Sequence, residues 1–348
     1  MKKSLLPILI TILGLFVFDA AYASTGITLN TSTGQTVLAR TIEWAAEPID
    51  MMYVVVPPDF KHRSLLPDGT QKGMRFQGDY GYVGIAVEEP SYILEGVNEF
   101  GLAAGLFYFP DCGQYQDFDP KYKDSTISDM QLVSWILASF VSVDEMLKVL
   151  PSVRIISIDP RASTAHWRVA DSSGRQVVIE VVNKRIQVYD NPVGVLTNSP
   201  SFPWHLTNLD NHLINKLDSV DTFTFDLLNL PGDMSSASRF LRAAYFQMTA
   251  PKLNDSESTV LQSFHIMNNF EIPIGTKFED KTLMPQMHTS TQATIVTDLA
   301  NSRLYYRTMY NPIIRCLDIQ NLDFETLPYQ VEVLENSVDE PIEYIDIY

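Results

Sequence analysis

The sequence predicts an α+β fold in which antiparallel sheets pack together with helices outside. Three observations carry this. Period-two alternation of apolar and polar residues marks "GITLNT", "TVLART" and "DMMYVVVPP" in the first part of the chain, as expected of strands with one buried face. Apolar residues at helical spacing take over in the middle, and alternation returns near the end in "QATIVTD" and "RLYYRTMY". Strands, then helices, then strands again describe sheet layers covered by helices.

The elements follow in order. Met1-Lys2-Lys3, the apolar run "LLPILITILGLFVF" and the small-residue pattern Ala21-Tyr22-Ala23 describe a secretory signal peptide over residues 1–23. The run is shorter than the ~20 residues that a membrane span needs, so no stable membrane insertion is expected. Cleavage after Ala23 leaves residues 24–348, read as a single domain because no Gly/Ser- or Pro-rich linker divides the chain. The destination is the periplasm or the medium. The first hairpin pairs "GITLNT" with "TVLART". Asn98 and Gly101 read as turn residues ahead of a strand that ends near Tyr108. The series "AHWRVAD", "QVVIEVV", "RIQVYD", "GVLTN", broken by Ser172-Ser173-Gly174 and Asn183-Lys184, reads as an antiparallel meander. Helical spacing appears in "SDMQLVSWILASF", "SVDEMLKVL", "SSASRFLRAAYFQM" and "SESTVLQSFHIMNNF". In the second of these, Ser142 and Glu145 have capping-box spacing. The late hairpin turns at Ala300-Asn301-Ser302.

Composition narrows the partners. The formal net charge of −17 argues against nucleic acid and anionic membrane surfaces. Much of the acid lies in "VEVLENSVDEPIEYIDIY", which reads as a solvated tail or edge. The two cysteines, Cys112 and Cys316, make no disulfide framework or CxxC pattern, and the six histidines show no HExxH spacing. No metal and no cofactor is expected.

Chemistry enters at the processed N-terminus. If Ser24 is the first residue, its hydroxyl lies beside a free α-amine with a pKa of ~8. A hydroxyl with a base that close is an activated nucleophile. The plain alternative is a small residue tolerated after a cleavage site.

Five blocks in order shift the balance: "STGITL" from 24, "ARTIEW" from 39, "EGVNEFGLAAGLFYFP" from 95, "GVLTNSPSFPWHLTNL" from 194 and "LPGDMSSASRFLRAAYF" from 230. Together they resemble the choloylglycine hydrolase and penicillin V acylase family of N-terminal nucleophile hydrolases. The resemblance runs over most of the chain after residue 23. It implies a four-layer αββα sandwich of two antiparallel sheets and hydrolysis of linear amides. One departure stands out: the family's nucleophile is cysteine, and Ser24 occupies the matching position.

The resemblance also implies roles. Arg40 would lie beside the nucleophile, and Glu43, where the family often has aspartate, would orient the α-amine. Asn198 and Tyr108 would donate to the oxyanion of a tetrahedral intermediate, Tyr108 standing where penicillin V acylases tend to have tyrosine and bile salt hydrolases asparagine. Arg239 would join the nucleophile's network. Trp44, Phe107 and Phe109 are candidate walls of an apolar acyl pocket. The expected partner is a small-molecule N-acyl amide, penicillin V or an acyl-homoserine lactone, with conjugated bile salts as the alternative. A third reading is a ligand-binding homologue whose catalysis was lost with the cysteine. Homo-oligomer formation is left open.

Overall fold

The computed structural model describes residues 24–45, 49–158, 164–217, 230–273, 276–277, 288–324, 326–335 and 340–347. The expected signal peptide lies outside the described residues. The principal strands are, in chain order, β1 Ser24–Asn30, β2 Thr36–Ala45, β3 Met51–Val56, β4 Tyr82–Val87, β5 Glu89–Asn98, β6 Ala103–Tyr108, β7 Ala165–Ala170, β8 Gln176–Val182, β9 Arg185–Asp190, β10 His288–Asp298, β11 Arg303–Thr308, β12 Asn311–Asp318 and β13 Gln330–Val333. Five helices accompany them: α1 Leu132–Ser139, α2 Val143–Val149, α3 Phe202–Leu217, α4 Ser236–Thr249 and α5 Ser256–Met267.

Two large antiparallel sheets result. The first has the order β1-β2-β10-β11-β12, with Thr276–Lys277 against β10; the second runs β9-β8-β7-β6-β5-β4-β3-β13. Between them lies an apolar core to which Leu38, Ile42, Ala293 and Ile295 contribute from the first sheet and Val97 and Ala103 from the second. It continues into Trp135, Ile136 and Met146 of α1 and α2. On its other face the first sheet buries Ile27, Val37, Ala39 and Val296 against Phe240 of α4 and Phe264 of α5. Helices, sheet, sheet, helices is the expected αββα order, produced by the two-faced burial that strand alternation permits.

The hairpins form as their turn residues require. Asn183 and Lys184 both take positive φ, 51° and 62°, as a tight turn with right-handed strand twist demands. The Ser142 hydroxyl accepts from the Glu145 N–H at 3.2 Å, while the Glu145 carboxylate reaches back to the Val141 N–H at 3.0 Å. One reading needs correction, and some elements gave no sequence signal. "GVLTN" is not a meander strand: among its residues only Leu196 forms a bridge, and it does so with Gly26 of β1. Strand β4 is a continuous apolar run buried along its whole length, so no alternation announces it. Helix α3 hides behind Pro203, which the first turn of a helix tolerates.

Candidate active site

The site begins at the free edge of β1. Gly26 and Leu196 exchange both main-chain hydrogen bonds, at 2.7 and 3.1 Å. In an antiparallel pair, two residues back on one side meet two residues forward on the other. Ser24 therefore faces Asn198, and the Ser24 N–H donates to Asn198 Oδ1 at 2.9 Å. Asn198 is fixed on every side. Its Nδ2 donates to the Tyr108 carbonyl at 2.8 Å, its N–H donates to Ser236 Oγ at 3.0 Å, and its carbonyl lies 2.8 Å from His205 Nε2. Burial pushes the His205 imidazole down to about 4, so it is neutral at ordinary pH and its Nε2–H is the donor.

Arg40 and Arg239 clamp Ser24 from opposite faces of the first sheet. Arg40 Nη2 donates to Ser24 Oγ at 2.9 Å, and its Nη1 donates to the Leu94 and Leu106 carbonyls of the second sheet at 2.9 and 2.6 Å. The guanidinium lies 3.9 Å above the Phe107 ring. Arg239, on α4, donates through Nη1 to the Ser24 carbonyl at 2.6 Å and to Thr25 Oγ1 at 2.8 Å. Its Nη2 reaches Asn198 Oδ1 at 2.8 Å. Helix α4 holds that arginine in place because Ser235 caps its first turn, accepting from the Ser238 N–H at 3.2 Å. Burial lowers both guanidinium groups to about 10, which leaves them charged at neutral pH. Arg242, one turn on, donates to the Pro231 and Asp233 carbonyls and lies over Phe270.

Glu43 lies one position past Ile42, the cross-strand partner of Ser24. Alternation turns it to the face opposite Arg40. There Thr291 Oγ1 donates to its Oε1 at 2.9 Å, while its buried Oε2 has no hydrogen-bond partner among the described residues. Burial raises the carboxyl to about 7.

Tyr108 is in the site by its main chain. Phe107 and Phe109 are both fully buried, one under Arg40 and the other stacked on His166 at 4.4 Å. Alternation along β6 then sends the intervening Tyr108 ring to the other face of the sheet, and the carbonyl receives Asn198. Phe107 and Phe109 likewise pack beneath the site; with no exposed surface, they support it and are not walls open to a ligand. Trp44 belongs to β2, and its side chain is outside those described.

Several contributors went unread in the sequence. Glu95, on β5, sits between Arg40 at 3.4 Å and Arg168 of β7 at 3.0 Å, all three buried. His166 lies between Glu180 Oε1, at 3.2 Å, and the Thr197 carbonyl, at 3.0 Å, and Glu180 Oε1 also accepts from the Phe202 N–H at 2.7 Å. That pair ties the Asn198 segment to the start of α3. The available signal was a lone ionisable residue inside an apolar strand, as in "AHWRVA" and "ILEGVN", which burial obliges to find a partner.

A family model for linear amide C–N hydrolases, the choloylglycine hydrolase family, matches residues 24–336. The chain belongs to this family. It is 29% identical over 323 residues to a bile salt hydrolase/transferase of Clostridium perfringens, covering 86% of this chain and 94% of that one. A bile salt hydrolase/transferase of Lactiplantibacillus plantarum is 31% identical over 269 residues, covering 71% and 80%. Among solved structures, a conjugated bile acid hydrolase of Clostridium perfringens superposes with a TM-score of 0.76 at 25% identity, covering 93% of this chain and all of the other. A penicillin V acylase from Agrobacterium tumefaciens shares the fold with a TM-score of 0.74 at 22% identity, covering 88% and 90%. This choloylglycine-family chain is thus an amidohydrolase of linear C–N bonds on the sandwich described above. Among the described residues, no group of three or more His, Cys, Asp or Glu is placed to hold a metal ion, and no helix is long and apolar enough to cross a membrane. Cys112 and Cys316 are free thiols.

Proposed function

We propose that the protein is exported, cut after Ala23, and hydrolyses small N-acyl amides through an acyl-enzyme formed on Ser24. The observation that carries this is the convergence of Arg40, Asn198 and Arg239 on the hydroxyl, nitrogen and carbonyl of one buried residue. The family match also begins at that residue. In the reaction the freed α-amine takes the proton from Ser24 Oγ as oxygen attacks the substrate carbonyl carbon. Asn198 Nδ2 uses one N–H on Tyr108 and has a second to offer the oxyanion. The C–N bond then breaks, the amine product leaves with the proton, and water releases the acid from the serine ester. Arg40 and Arg239 hold the nucleophile, and their charges oppose protonation of the amine.

For the acyl group two readings stand. Penicillin V and other acyl amides such as acyl-homoserine lactones are supported by Tyr108, which stands where penicillin V acylases tend to have tyrosine. Conjugated bile salts are favoured by the names of the two bacterial relatives, most of whose length this chain spans. Incubation with penicillin V, a long-chain acyl-homoserine lactone and glycocholate separates them. The test of mechanism runs alongside: Ser24→Cys should raise turnover, because a thiolate is intrinsically the better nucleophile, and Ser24→Ala should abolish it. A Ser24→Cys protein as inert as Ser24→Ala on all three substrates would leave the ligand-binding reading in front.

A further inference from the structure

We propose that Glu95 and Arg168, neither of which touches Ser24, are positioning residues that hold Arg40 and set the net charge beneath the nucleophile, and so the basicity of the processed Ser24 amine. This rests on the reading above, in which Ser24 becomes the N-terminus. Glu95 Oε2 meets Arg40 Nη1 at 3.4 Å and its Oε1 meets Arg168 Nη2 at 3.0 Å, with all three side chains no more than 2% exposed. The arginines cross between the sheets in opposite directions. Arg40 leaves the first sheet for the carbonyls of Leu94 and Leu106, while Arg168 leaves the second for those of Ile27 and Ala39, at 3.2 and 3.4 Å. Glu95 locks the two together.

The backbone makes room for this cluster at two glycines. A Cβ at Gly105 would lie 2.0 Å from Glu95 Oε2, and one at Gly26 would lie 2.9 Å from Arg168 Nη1. Gly26 is two residues from Ser24, hence on the same face of β1. The charged cluster therefore sits directly under the nucleophile strand, in space cleared for it.

Two arginines and one glutamate leave one uncompensated positive charge on this face. The other groups around Ser24 do not cancel it. From α4 comes Arg239, flanked by the carboxyls of Glu43 and Asp233 and by the Arg242 guanidinium; burial raises Glu43 to about 7, Asp233 and Arg242 offset each other, Thr25, Thr41 and Thr291 are uncharged, and His205 behind Asn198 is neutral. A positive charge nearby disfavours the ammonium form, so the cluster keeps the amine a base at neutral pH. Removing Glu95's charge adds to the positive excess, whereas removing Arg168 cancels it.

The sign of the response is the test. Protein purified after export and labelled with [13C]serine is titrated by NMR, following the Ser24 Cα shift. Glu95→Gln should lower the amine's midpoint and Arg168→Met should raise it, each by on the order of one pH unit for one charge at an effective dielectric of ~20. The double variant restores a single positive charge and should return to the parent midpoint; Glu95→Asp should stay near it. Arg168→Met keeps the Arg40–Glu95 pair, so it carries the test even where Glu95→Gln fails to fold. Midpoints that do not move, or that move in the same direction in both single variants, overturn the proposal while leaving the amidase reading intact. A purified chain that does not start at Ser24 overturns both.

Discussion

Ser24 is buried, yet each of its polar atoms has a partner that belongs to a different part of the chain. The Asn198 side chain alone meets Ser24, Arg239 and the Tyr108 carbonyl, so its loss should be costly in the reaction itself. We expect Asn198→Ala to lower kcat by ~10²-fold or more, the typical cost of one oxyanion donor. Tyr108→Phe, by contrast, should leave kcat within a few-fold, since the contact that matters is its carbonyl. Steady-state kinetics on the substrate that is turned over, in the Ser24→Cys background where needed, compares the two. A large kcat loss in Tyr108→Phe would put the hydroxyl back at the oxyanion. Glu43 makes a different prediction. Its carboxyl, raised by burial from 4.5 to about 7, holds a proton in the folded chain that the unfolded chain releases. The stability it contributes is full below pH 4.5 and is lost as pH rises through 7. Relative to Glu43→Gln, the parent should therefore lose ~3 kcal/mol between acid and mildly alkaline solution, measurable by urea unfolding at each pH. An equal pH slope in both proteins would show that Glu43 is ionised in the fold.

The elements that build the site are ordinary hairpins and helices used at their ends and edges. Strand β1 is an edge strand with a short segment of residues 196–198 laid against it, and that single bridge delivers Asn198. An edge strand offers unpaired main-chain groups, here used to assemble a site. Strand β6 ends where its ladder to β5 has already stopped at Gly105, which opens the Leu106 and Tyr108 carbonyls to Arg40 and Asn198. Gly105 matters for a second reason: its missing Cβ is the space that holds Glu95. Gly105→Ala should force that carboxylate aside, costing ~1–3 kcal/mol by overpacking and lowering activity through Arg40. Thermal unfolding and kcat/KM measure both effects, and an unaltered Tm with full activity would show that the carboxylate has room to move.

At the scale of the whole molecule, the catalytic reading depends on an event at the peptide bond before β1. Intact mass of protein recovered after export should correspond to a chain starting at Ser24. A product that retains Ala23 would have no α-amine next to the hydroxyl, and the mechanism would fail. The two sheets then hold the Arg40–Glu95–Arg168 cluster buried between them. Buried charges of this kind contribute little net stability and lose much when one partner is removed, which suits a role in position and charge.

Much of this was legible in the sequence. Alternation and turn residues announced β1, β2, β3, the β7–β9 meander and the β10–β11 hairpin, and helical spacing announced α1, α2, α4 and α5, because those signals are local and each element buries one face. Five ordered motifs pointed to the family and nominated Ser24, Arg40, Asn198 and Arg239, which the fold brings together. What the sequence alone left hidden shares one physical cause. Strand β4 is buried on both faces and so has no period; Leu196 pairs through a single bridge; Glu95 and Arg168 read as isolated charges until the sheets stack and give each a counter-ion. Tyr108 was assigned to the site through the resemblance, and only the fold showed that its carbonyl accepts from Asn198. Local pattern determined which segments form and which residue types carry the chemistry. The stacking of two sheets, which sets partners far apart in sequence within 3 or 4 Å of each other, decided what each of those residues touches.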